Sequence, residues 1–140
     1  MAWYKEKNIQ LVMKKRLQEK GFKITVDSSC TGHGVDLKAY HPKHRYYWIV
    51  EVKGYPIGYS ESAQRQNYFW QILGQIFGRI TQENAEYGVC LPDYRGFYKK
   101  KILSKDLEIS RRRLYLSFFL VTNKGKIYKL SPSGIKFQRF

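Results

Sequence analysis

The sequence predicts one α/β domain, and three observations predict it. Helical and strand patterns alternate along the chain, and its 140 residues suit one core rather than two. The central run Trp48-Ile49-Val50-Glu51-Val52 is apolar enough to read as a strand inside a sheet rather than at its edge.

The elements follow in order. Over residues 3–20, Ile9, Val12, Met13 and Leu17 recur at helical spacing among Lys14, Lys15, Arg16 and Lys20, and Gly21 stops the helix. Residues 22–26 alternate as a first strand, and residues 27–34 form a loop of small residues. Residues 34–40 and 46–54 pair as a hairpin, with His41-Pro42-Lys43-His44-Arg45 as its turn. After a loop over 54–60, Ser60 or Ser62 is the expected cap of a second helix that runs to about Thr81. Residues 88–92 make a short strand ended by Pro92, and residues 94–103 are basic and partly helical, with Lys99, Lys100 and Lys101 as a solvated face. The aromatic run 114–121 reads as a strand. A turn at 123–126 leads it into residues 127–130, a terminal hairpin.

The central hairpin carries the chemistry. If it pairs with Asp36 opposite Glu51, Lys53, two residues on, joins them on one face while Val50 and Val52 point to the other. Opposed carboxylates repel, and a bound cation is the natural resolution. Hard ions such as Mg²⁺ take oxygen ligands, commonly one or two carboxylates plus waters and phosphate oxygens. The cluster therefore suits phosphoryl chemistry, with Lys53 orienting or deprotonating the attacking water, or countering charge on the phosphate. On an exposed strand the same Glu-x-Lys pattern would be an ordinary charged face; the apolar run around Glu51 argues against that.

Lys and Arg number 26 against 11 Asp and Glu, a net charge of +15 spread along the whole chain. Nucleic acid is the partner this composition favours, because Lys and Arg neutralise phosphates without regard to sequence. Cys30 and Cys90 form neither a disulfide framework nor a zinc pattern. No run has the length of a membrane-spanning helix, and the first residues lack the order of a secretory signal; a cytoplasmic protein with no membrane partner is expected. His41 and His44 fall in the hairpin turn as surface imidazoles, and His33 lies in the loop near Asp36, within reach of a phosphate.

On the second helix Gln64, Tyr68, Gln71 and Gln75 share one stripe, while Phe69, Ile72, Leu73, Ile76 and Ile80 supply apolar surface. The stripe offers hydrogen bonds to a DNA backbone or to metal-bound water, and Arg65 and Arg79 add candidate phosphate contacts.

With these residues placed, the chain resembles the PD-(D/E)XK nuclease superfamily over roughly residues 3–92. The resemblance rests on Gly34-Val35-Asp36, on Glu51-Val52-Lys53, and on the order helix, strand, hairpin, helix, strand. Val35 stands where the family name expects proline. The resemblance implies a restriction-endonuclease-like core, a central mixed β-sheet flanked by α-helices. It further implies that Asp36 and Glu51 bind Mg²⁺, with Mn²⁺ as a substitute, that the Val52 carbonyl completes the protein ligands, and that Lys53 assists the water. Glu6 is the candidate for the acid that such proteins often add from the first helix, and Gln71 or Gln75 falls at the second-helix position that often supports the site. The small basic format is also similar to archaeal-type Holliday-junction resolvases, whose acid would fall nearer Gln10. That likeness implies duplex or branched DNA as the substrate and a homodimer. A non-catalytic DNA-binding module, or a partner-docking protein anchored by its many aromatic residues, is the alternative.

Overall fold

The computed structural model describes residues 2–31, 34–58 and 60–140, so His33 and the Cys30 side chain lie outside the described residues. In chain order the elements are helix α1 (Glu6–Glu19), strand β1 (Lys23–Asp27), the short helix α2 (Ser28–Thr31), strands β2 (Leu37–His41) and β3 (Tyr46–Val52), and helix α3 (Glu61–Arg79). Strand β4 (Ala85–Pro92), helices α4 (Phe97–Ile102) and α5 (Lys105–Arg113), and strands β5 (Leu116–Val121), β6 (Ile127–Leu130) and β7 (Gln138–Arg139) complete the chain.

These strands form one seven-stranded sheet in sequence order. β1, β2 and β3 pair antiparallel, β3–β4 and β4–β5 pair parallel, and β5, β6 and β7 pair antiparallel again. The sheet is therefore mixed, and each parallel step has the crossover it requires: α3 between β3 and β4, then α4 and α5 between β4 and β5.

The pleat divides the core in two. Trp48, Val50 and Val52 of β3 pack with Ile9, Met13 and Leu17 of α1. Ile49 faces the other way, to Phe69, Ile72 and Ile76 of α3 and to Tyr98 and Ile102 of α4. Cys90, a free thiol, is buried on the α1 side, where burial pushes its ionisation far up.

Boundaries depart from the sequence expectation where local chemistry intervenes. Gly21 ends α1 as expected: its φ is +94°, and its N–H and that of Phe22 donate to the Gln18 and Leu17 carbonyls at 3.0 Å each. Ser60 does precede α3, but in the left-handed region at φ 64° and with no side-chain cap, so neither expected serine cap forms. Leu114 closes α5 and Tyr115 turns at φ 53°, which delays β5 to Leu116. The short α2 lies inside the expected loop, and α5 and β7 occupy segments without a sequence assignment.

Gly54 fixes where the N-terminal segment meets the end of β3. A Cβ there would lie 2.5 Å from the Glu6 nitrogen and 2.9 Å from the Tyr4 carbonyl oxygen. The next residue, Tyr55, donates its N–H to that same Tyr4 oxygen at 3.0 Å. Both obstacles are backbone, so they cannot swing aside as a side chain would. Gly54→Ala is expected to cost roughly 1–3 kcal/mol, the usual penalty of overpacking, and to displace Glu6 from Lys53. Urea denaturation measures the first effect; an alanine variant as stable as the parent would contradict the close approach.

Candidate active site

The β2–β3 ladder runs to Leu37 opposite Val50, and one further step sets Asp36 opposite Glu51. Asp36 sits just before β2, where no ladder fixes it, and its carboxylate is held by other means. Oδ2 accepts the Val52 N–H at 2.8 Å and Oδ1 accepts the Ser28 hydroxyl at 2.9 Å. Each oxygen retains a lone pair for a further partner.

Glu51 is 2 % exposed and lies on the α3 face of the sheet. Burial, and then a hydrogen bond shared with the Asp36 carboxyl, push its ionisation up to about 7, against the pull of Arg79, whose Nε donates to Glu51 Oε1 at 2.7 Å. Burial and the neighbouring Asp36 thus favour the protonated form of Glu51.

Lys53 follows β3 directly, and its N–H still donates to the Cys90 carbonyl at 3.1 Å. Its ammonium lies 3.9 Å from Glu6 Oε1 and 4.6 Å from the centre of the Tyr68 ring. Glu6, in the first turn of α1, has its carboxyl raised by burial; Lys53 pulls it down and Asp36 repels it upward. One cleft beside Glu6 is lined by Lys53, Tyr55, Pro56 and Tyr68, and a second by Gln10, Ser28 and Asp36. Glu6 thus joins the two halves of the site.

Behind Asp36 stands a polar strut that the sequence reading did not assign. Gln10 is 5 % exposed, and its Nε2 donates to Asp27 Oδ1 at 2.9 Å and to the Asp36 carbonyl at 3.1 Å. Burial would raise the Asp27 carboxyl, but hydrogen bonds from Lys14 and Ser29 outweigh it and hold the group at about 2. The Lys14 ammonium is 2.8 Å away. The sequence did carry a signal, since Gln10 shares its spacing with Met13 and Leu17 and so falls on the buried face of α1.

Helix α3 contributes through Tyr68 and Arg79, which lie roughly three turns apart on one stripe. Gln75 shares the stripe and Gln71 lies beside it, but both are exposed and neither hydrogen-bonds a described residue. Arg65 points elsewhere: its Nη1 donates to the Tyr55 hydroxyl at 3.2 Å, and its guanidinium covers the Phe97 ring at 4.3 Å. Val52 contributes its N–H to Asp36 and its side chain to the α1-side core.

Among the described residues no group of three or more His, Cys, Asp or Glu is placed to hold a metal ion. The Asp36–Glu51 pair has the chemistry of a smaller donor set. It offers only carboxylate oxygens, Glu51 is buried while Asp36 is half-buried at a cleft, and Arg79 offsets part of the charge. A magnesium-type ion binds proteins through as few as one or two carboxylates, so the pair fits that class. No helix of the described residues is long and apolar enough to cross a membrane. Comparison with protein-family models, with curated proteins and with solved structures finds no match to this chain.

The raised Glu51 carboxyl makes stability depend on pH with a defined sign. Between its ordinary 4.5 and about 7 the folded chain binds more protons than the unfolded one, so stability falls as pH rises through that window. Glu6 adds in the same direction, whereas Asp27 titrates below the window. Glu51→Gln keeps an acceptor for Arg79 and removes the ionisation. Its denaturation midpoint should fall less than the parent's between about pH 5 and about pH 8. An equal fall in both proteins would contradict a buried acid pair.

Proposed function

We propose that this chain is a metal-dependent nuclease of the PD-(D/E)XK type, hydrolysing phosphodiester bonds in duplex or branched DNA. The observation that carries the reading is the pairing of the half-buried Asp36 with the buried Glu51, with Lys53 on the same face. An acid pair that keeps a proton near neutral pH is resolved when a hard cation replaces that proton, and Mg²⁺ or Mn²⁺ would meet Asp36, Glu51 and the Val52 carbonyl. When bound, such an ion polarises the scissile phosphate and acidifies an attacking water.

The chain's own residues have separate roles in this reading. Asp36 and Glu51 provide the oxygen donors, and the Gln10–Asp27–Ser28 strut holds Asp36 in place. Lys53, kept at the cleft by Glu6 and Tyr68, counters charge on the phosphate or takes a proton from water. Glu6 borders the same cleft as an additional acid. Gln71 and Gln75, exposed beside the stripe of Tyr68 and Arg79, are free to meet a DNA backbone. The net charge of +15 supplies the affinity for the polyanion.

One observation favours a second reading, a DNA-binding module without catalysis. Arg79 already serves as the counter-ion of Glu51 at 2.7 Å. A site neutralised from within needs no metal.

Cleavage separates the two. The parent should nick plasmid or branched DNA in Mg²⁺ or Mn²⁺. Asp36→Asn and Glu51→Gln should lower the rate by more than about a hundredfold, beyond the tenfold to hundredfold typical of losing a supporting partner, while DNA binding persists. Lys53→Ala should lose rate at saturating metal. If the parent binds DNA but cuts none of these substrates with either ion, the binding-module reading stands and the nuclease reading falls. For both readings log affinity should decline linearly with log salt, by about 0.9 per neutralised phosphate on a duplex.

A further inference from the structure

Beyond the acid pair, α3 and α4 enclose a groove of about 510 Å³ lined by Arg65, Trp70, Arg95, Phe97, Lys100 and Lys101, among others. Four of these are cations, against Asp106 on the same wall. Trp70 is 52 % exposed, although its ring is among the largest apolar surfaces a side chain offers. It is not covered by the core. Lys101 Nζ lies 5.3 Å from its centre, and across the groove Arg65 stacks on Phe97.

A hydrogen bond links the groove to the candidate active site. Arg65 donates to the Tyr55 hydroxyl, and Tyr55 lines the cleft of Glu6 and Lys53. Glu61 accepts from that same hydroxyl at 3.0 Å and pairs with Arg95 Nη1 at 2.9 Å, which ties the two walls together.

We infer that this groove holds single-stranded nucleic acid, with a base stacked on Trp70 and the backbone phosphates on Lys100, Lys101 and Arg65. Stacking decides the form of the ligand. Bases in a duplex are stacked on each other and cannot offer a face to Trp70, whereas an unpaired base can, and a cationic groove with an aromatic platform is the usual architecture for unpaired strands. The inference shares with the proposed function only the premise that the chain binds nucleic acid; it requires no cleavage.

Tryptophan fluorescence reads it directly, because Trp48 is 2 % exposed, Trp3 is half-buried and Trp70 is the open indole. The experiment adds a thymidine oligonucleotide, or a duplex of equal length, to the full chain in EDTA, following both fluorescence and anisotropy. Quenching by the single strand is expected. Trp70→Ala should weaken single-strand binding by roughly fivefold to a hundredfold, the equivalent of one stacked base, while duplex affinity is kept. The double variant Lys100→Ala with Lys101→Ala should reduce the salt slope for the single strand by about 0.7 per lost phosphate contact. Parental single-strand affinity in both variants would overturn the inference. So would an equal loss for duplex and single strand, which would make the groove a general phosphate surface. Failure of the parent to cleave DNA, measured separately in Mg²⁺, would remove the nuclease reading and leave this result unaffected.

Discussion

The antiparallel register that sets Leu37 opposite Val50 decides what meets on each face of the sheet. Side chains alternate with a period of two, so a slip of one residue would turn Trp48, Val50 and Val52 away from α1 and carry Glu51 into the apolar layer beneath it. That alternative buries an acid among Ile9, Met13 and Leu17, on the face of the sheet opposite Arg79. The apolar residues of β3 therefore enforce the register, and the position of the acids is its by-product. Gly88 supports the same arrangement from β4: a Cβ there would meet Phe119 at 2.6 Å and Trp48 at 3.4 Å, so the glycine gives the two rings their room.

Holding an acid at Glu51 is costly, and the surroundings show how the cost is limited. Arg79 reaches in from the end of α3, and burial together with the hydrogen bond to Asp36 favours the uncharged form of Glu51. Asp36 is treated differently. It accepts a backbone N–H and a hydroxyl, and its own carbonyl is held by Gln10. Such a network is favourable only when every member is satisfied, and here each named polar group has a partner. Asp27, charged down to about 2 and paired with Lys14, anchors the far end of the chain of contacts. One carboxyl is thus kept ionised and another is poised to change its state, within the same small region.

Much of this architecture was legible in the sequence because periodicity records burial. The Ile9, Met13 and Leu17 spacing located α1, and the unbroken apolar run of β3 marked a strand covered on both faces. The acids were legible as neighbours on the hairpin but their register was not: a turn over 41–45 counts outward to 36 opposite 50, and the shorter turn of the structure, with His41 opposite Tyr46, is what sets 36 opposite 51. What escaped had weak or misleading signals. Helix α5 packs only Leu107 against the core, with Ile109 56 % exposed, so its apolar pattern has no stripe to detect. The role of Gln10 required reading a polar residue on an apolar face as a partner rather than an interruption. Arg79 was read as a phosphate contact, but the structure turns it inward to Glu51, because no other cation among the described residues pairs with that carboxylate.

Helix α3 shows how one element can serve three surfaces without conflict. Phe69, Ile72 and Ile76 commit its inner face to the core. Turned slightly to one side, Tyr68 and Arg79 touch Lys53 and Glu51, so the position of the site follows from the packing of the helix. Trp70 and Arg65 leave the helix at different angles but line the same groove toward α4, where Arg65 stacks on Phe97 and Lys101 lies over the Trp70 ring. A shift of α3 along the sheet would therefore move the Arg79 counter-ion, the Tyr68 contact to Lys53 and the aromatic wall together. One helix thus couples the groove and the acid pair mechanically, although they open at different places on the molecule.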